Sequence, residues 1–137
     1  AVQPSKVVTS GQITLQTAAR NVLVGLPYTS TLKPMNIEIP LPDGSTKSRK
    51  GRTHRVAIEV YKSLSCQTSP DEVTWNDVYF RDQDDVMDSS PPVFTGKKKE
   101  SLGGTFEDFA QVTIRCNQPV PLCVLSLTPI LEFYGGT

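Results

Sequence analysis

Apolar residues recur at every second position in several stretches of the chain, most clearly at Val56, Ile58 and Val60, which share one face if the backbone is extended. Ala57, Glu59 and Tyr61 then form the opposite, mixed face, suited to solvent or to a neighbouring subunit. The pattern predicts a long strand within residues 52–64 and shorter strands at 12–15, 21–24, 35–39, 73–80, 111–116, 122–128 and 130–134. Between them stand Leu26-Pro27, Pro40-Leu41-Pro42-Asp43-Gly44, Ser69-Pro70-Asp71, Ser90-Pro91-Pro92, Gly103-Gly104 and Asn117-Gln118-Pro119. Proline removes a backbone donor and glycine supplies positive φ, so these groups stop ladders and turn the chain. Residues 15–21 include Ala18 and Ala19 but no extended apolar stripe, so at most a short helical turn fits there. The expectation is an all-β fold, an antiparallel β-sandwich or barrel-like domain with long loops.

A length of 137 residues suits one β domain with one core, and 37% hydrophobic with 20% charged residues is an ordinary globular composition. Fourteen basic residues balance fourteen acidic ones, so the distribution of charge has to indicate partners. No apolar run reaches the roughly 18 residues of a membrane-spanning helix, and residues 1–9 lack a signal peptide's apolar stretch, so no membrane insertion by this domain is expected. Cys66, Cys116 and Cys123 have no CxxC spacing, and free thiols are expected. Cys116 and Cys123 flank the connection 118–121 and face each other if it is a hairpin, but a bridge needs their Cα atoms within about 7 Å.

Catalytic chemistry finds little footing. The one imidazole, His54, is surrounded by cations, and no GxSxG elbow accompanies it. It reads as a strand histidine making a polar contact. Asp82, Asp84, Asp85 and Asp88 crowd carboxylates, but Met87 stands where an EF-hand loop needs glycine and no glutamate closes the loop. The segment 82–92 is therefore expected to be a long acidic loop, and neither a metal nor a cofactor is assigned. GxxxxGK[ST] and GxGxxG phosphate cradles are missing from the sequence.

Two basic groups are the most distinctive charge features. Lys47, Arg49, Lys50, Arg52 and Arg55 fall within nine residues, and Lys97, Lys98 and Lys99 follow later. Such groups contact phosphates without sequence preference. No aromatic residue is interleaved for stacking on bases, which favours docking or transient, non-specific DNA contact over single-strand recognition. Arginines of one subunit meeting the 82–88 loop of the next would equally orient neighbours in a ring.

The segment Gly25-Leu26-Pro27-Tyr28-Thr29-Ser30 resembles the GLPYTS motif of the tubular tail proteins of short-tailed double-stranded DNA phages, also called nozzle or tail-stabilisation proteins. The stretch 49–56 is similar to that family's basic run leading into a strand, with His54 where an asparagine is usual. The segments 92–96, 111–119 and 124–132 continue the likeness in colinear order, from about Ile13 to Leu131. Residues 62–77 do not align. The resemblance implies the C-terminal β domain of a larger tail tube protein, in a virion tail assembled in the host cytoplasm. It further implies a six-copy ring below the portal and adaptor proteins, with tail fibres nearby, through which the genome leaves. Physics tempers one point: a conduit lined densely with cations would grip duplex DNA, so the 49–55 stretch is expected to face mainly a subunit or adaptor interface. Within the motif, Gly25 permits a bend, Pro27 fixes the chain and Tyr28 is expected to bury its ring, a role in the fold.

Two other classes compete with this structural role. Trp75, Tyr79, Phe80 and the acidic loop could form the receptor- or carbohydrate-binding platform of a virion β-sandwich, although a lone tryptophan more often lies in a core. A tail lysin would need a pair of carboxylates from Glu72, Asp82 and Glu107 at a defined separation. The structural, non-enzymatic role is the expectation.

Overall fold

The computed structural model describes residues 2–42, 44–81, 83–86, 90–108 and 110–134. Two antiparallel sheets face each other. One holds four strands in the order β1 (Ser30–Leu32), β8 (Thr113–Cys116), β5 (Ser65–Ser69) and β6 (Asn76–Tyr79). The other holds three, β7 (Phe94–Ser101), β4 (Gly51–Ser63) and β9 (Val124–Phe133). A small hairpin pairs β2 (Pro40–Leu41) with β3 (Gly44–Ser45) and leads into a 3-10 turn, Thr46–Ser48. No α-helix occurs among the described residues. The all-β expectation holds, and its form is a sandwich.

The period of two explains the packing. Val56, Ile58 and Val60 point from β4 into the space between the sheets and meet Cys66, Val78, Phe80, Leu102, Val112 and Ile114. β4 is the centre of its sheet, pairing with β7 at Ile58↔Lys98 and with β9 at Ile58↔Leu127. Phe80, just past β6, stacks on Phe94 of β7 with ring centroids 5.4 Å apart, joining the β6 and β7 sides. At the far end Gly51 passes so close to Phe133 that an added Cβ would stand 2.8 Å from its ring, so close approach of β4 and β9 requires glycine there.

Several expectations need correction. Residues 12–15, 21–24 and 35–39 form no strands; the first two lie in a long N-terminal arm whose regular pairing before Ser30 is confined, among the described residues, to the Thr9↔Gln12 bridge, and 35–39 connects β1 to β2, with Ile39 bonded to Thr46. The stretches 122–128 and 130–134 are one strand, because Pro129 sits in an edge strand, where a missing donor is tolerated. β5 and β7 emerge where no strand was predicted. The connection 117–123 is a crossover between sheets, since β8 and β9 belong to different ones, so Cys116 and Cys123 do not face each other across a hairpin. All three cysteines are free. Burial pushes the Cys66 thiol up to about 12, helped by the neighbouring Cys116 and Glu100.

Candidate functional site

Strand alternation divides the basic residues that lie together in sequence. In β7, Lys97 and Lys99 are exposed while Lys98 and Glu100 turn inward and are half-buried. The ammonium of Lys98 stands 5.1 Å from the Phe94 ring centroid. Pairing sets Arg55 opposite Ser101, Ala57 opposite Lys99 and Glu59 opposite Lys97. Arg55, Lys99 and Lys97 therefore share the outer face of the three-stranded sheet with Glu59, whose carboxylate accepts a hydrogen bond from Ser126 Oγ at 3.0 Å. The face is mixed in charge.

The earlier cations take other roles. Arg52 donates from Nε to Glu132 Oε2 at 2.9 Å, its Nη2 stands 2.7 Å from the same oxygen, and its guanidinium lies 4.9 Å from the Phe106 ring centroid. It fastens β4 to β9 rather than standing free for a phosphate or a neighbour. Lys47 is exposed in the 3-10 turn, Arg49 is half-buried just after it, and Lys50 is exposed, its carbonyl accepting from Tyr134 N–H at 2.8 Å. His54 is half-buried at a register shift of β4, and its buried Nδ1 finds no hydrogen-bond partner among the described residues, contrary to the polar contact expected.

Of the expected acidic loop 82–92, Asp82, Met87 and Asp88 lie outside the described residues; among the described ones, Arg81 donates to the Val86 carbonyl. No cluster of three or more metal-ligating side chains forms among the described residues. Of the carboxylates considered for hydrolysis, Glu72 is taken by Lys33 at 2.6 Å and by the Thr113 hydroxyl at 3.1 Å, contacts that hold it below its ordinary range. Glu107 accepts from Thr105, and its backbone bridges Gly51.

The motif residues Gly25, Leu26, Pro27, Tyr28, Thr29 and Ser30 meet a different fate from the one expected. Tyr28 is 78% and Leu26 94% exposed, so the ring is not buried. Gly25 has ordinary negative φ and open space around it. Only Ser30 enters the fold, opening β1 opposite Cys116.

The outer face of the four-stranded sheet carries a row that sequence reading had only half identified. Trp75 is half-buried on this face instead of in the core, its ring centroid 3.7 Å from the Arg115 guanidinium carbon. Arg115 donates to Gln67 Oε1 at 2.8 Å, Gln67 donates to Asp77 Oδ1 at 2.7 Å, and Tyr79 OH donates to Asp77 Oδ2 at 3.3 Å. Arg115 and Gln67 were not singled out, because their partners become neighbours only through β8–β5 and β5–β6 pairing. Phe80, grouped with Trp75 and Tyr79 in the alternative platform reading, is a core residue.

Asp71 holds the loop that delivers Trp75. Its Oδ1 accepts from the N–H groups of Val73 and Thr74 at 3.0 and 2.8 Å and from Ser69 Oγ at 2.9 Å, as its place after Ser69-Pro70 suggests. The Thr74 and Val73 donors lower its pKa from 3.8 to about 2. A depressed folded pKa stabilises above the unfolded value, and the contribution is lost as pH falls from about 4 through about 2. A carboxyl-carbon NMR titration is expected to place the Asp71 midpoint near the lower value, and a midpoint near 4 would show that the loop bonds do not persist in solution.

Compared with known proteins, the chain matches no family model and no curated protein.

Proposed function

We propose that this chain is a structural, non-enzymatic part of the tail tube or nozzle of a short-tailed double-stranded DNA phage. In this reading it assembles as a ring below the portal and adaptor and forms part of the conduit for DNA ejection. One observation carries it beyond the motif resemblance: a well-packed sandwich bears an arm whose apolar side chains, Leu23, Val24, Leu26 and Tyr28 among them, are 77–103% exposed. Exposed apolar surface of this kind marks a binding surface for protein. The resembling motif, residues 25–30, lies in the same arm. A face on which Arg55, Lys97 and Lys99 surround Glu59 is compatible with DNA passing, since mixed charge does not clamp a polyanion as a purely basic bore would.

A receptor- or carbohydrate-binding module is the second reading, favoured by the row Trp75, Arg115, Gln67, Asp77 and Tyr79, whose polar groups are fixed in advance by one another. The two separate in solution. Light scattering after size exclusion, on the chain alone and mixed with the parent phage's adaptor ring, is expected to give a ring-sized or adaptor-bound species. A monomer that ignores the adaptor, with glycan binding abolished by Trp75→Ala, would overturn the tail role and support the module.

A further inference from the structure

The sandwich is incomplete on one side. β7 lies against the β6 side through the Phe80–Phe94 stack, and the start of β9 lies beneath β8 and β1. The sheet β7-β4-β9 ends there, while the sheet above it continues from β8 to β1. β1 therefore overhangs a position where the lower sheet has no strand among the described residues. A cleft of about 180 Å³ opens at this place, lined by Ser30, Leu32, Ile114, Leu122 and Val124. Roughly 150 Å³ of apolar space suffices for a benzene-sized group, so the cleft has room for a leucine or tyrosine side chain.

The two edges of the lower sheet differ in their protection. β7 is guarded by Lys97 and Lys99 outward and by Lys98 and Glu100 inward, the devices that prevent strands from adding to an edge. β9, ten residues long, carries a single charged residue, Glu132, and Arg52 already engages it. Its other edge has no partner among the described residues, and Leu125 and Ile130 stand exposed along it.

The arm supplies what this edge lacks. Val22, Val24, Leu26 and Tyr28 alternate along residues 21–28 as the apolar face of a half-buried strand does, yet the segment pairs with nothing in its own chain among the described residues. Leu23 is 103% exposed and Tyr28 78%. Pro27 is compatible with pairing because an added strand becomes the new edge. We propose that a second copy of this chain donates residues 21–28 as the missing strand on the free edge of β9, its apolar face filling the cleft beneath β1. Backbone hydrogen bonds to β9 fix the register, and the side chains at alternate positions fill the cleft. Head-to-tail donation of this kind gives a ring where the rotation between copies closes, and reciprocal donation gives a dimer.

The inference deepens the assembly reading, resting on it for the presence of neighbouring copies, and it fails separately. Cys123 is exposed at the start of β9, so Val24→Cys in the full chain provides a linkage test with a short bismaleimide. Linked dimers or higher species on a denaturing gel, lost on adding Cys123→Ser, are the expected result. Val24→Asp with Leu26→Asp, at positions 77% and 94% exposed in the single chain, is expected to weaken association about tenfold or more without moving the unfolding midpoint. Linkage within one chain would overturn the proposal in favour of the chain's own arm as occupant. Association that leaves the cysteines unlinked would overturn strand donation while leaving the tail role standing, and adaptor binding by an unlinked monomer would do the same.

Discussion

Replacing Phe80 with alanine is expected to lower the unfolding free energy by about 3–5 kcal/mol, the usual cost of deleting a buried phenyl ring. The ring is 4% exposed and stacks on Phe94 at an interplanar angle of 4°, so its removal leaves a void at the aromatic contact joining the two sheets on the β6–β7 side. The neighbour is the control: Tyr79 is 70% exposed, and Tyr79→Ala is expected to change stability by no more than about 1 kcal/mol. Urea unfolding measures both, and an unchanged slope confirms that compactness of the unfolded state is not what moved. A Phe80→Ala loss below about 1 kcal/mol would mean that the ring belongs to an outer surface, as a binding platform would require.

These adjacent residues show what the sequence could convey. The alternation at Val56, Ile58 and Val60 was legible because the buried face of β4 is apolar over that stretch and the strand is central. Phe80 was ambiguous because it follows β6, where pairing with Cys66 and Gln67 of β5 decides which side is inward. β7 was hidden for a related reason: as an edge strand it carries lysines on both faces, so its period of two has no hydrophobic signal. The opposite error occurred at 21–24, where residues with strand-forming chemistry find no strand partner among the described residues. Local pattern reports what a segment can pair with, and whether a partner is in place is invisible to it.

The candidate surfaces divide along the same line. The basic runs were evident as composition, but a run of consecutive cations on a strand is split between two faces by the pleat, leaving Arg55, Lys97 and Lys99 outside and Lys98 turned inward. Arg52 was indistinguishable from its neighbours until β9 brought Glu132 to it from 80 residues away. The Trp75–Arg115 contact likewise needs two strands that are far apart in the chain. Turn chemistry, by contrast, is local, and Ser69-Pro70-Asp71 forms the predicted turn with the aspartate as acceptor.

Ile58→Ala is expected to cost about 2–5 kcal/mol, a large part of the roughly 5–15 kcal/mol that holds a domain of this size together. Ile58 is fully buried at the middle of β4, flanked by β7 on one side and β9 on the other, so the lost methylenes cannot be replaced by collapse of a loop. Leu26→Ala removes as much aliphatic surface from a side chain that is 94% exposed, and its effect on the unfolding of the isolated chain is expected to stay within about 0.5 kcal/mol. The pair separates folding from assembly. If urea unfolding at low protein concentration finds Ile58→Ala strongly destabilised and Leu26→Ala unchanged, the arm contributes nothing to the folded monomer, and any loss of association in Leu26→Ala belongs to contacts between chains. A destabilisation by Leu26→Ala at concentrations where the chain is monomeric would instead mean that the arm packs onto its own sandwich, and the neighbour's claim on the β9 edge would fail with it.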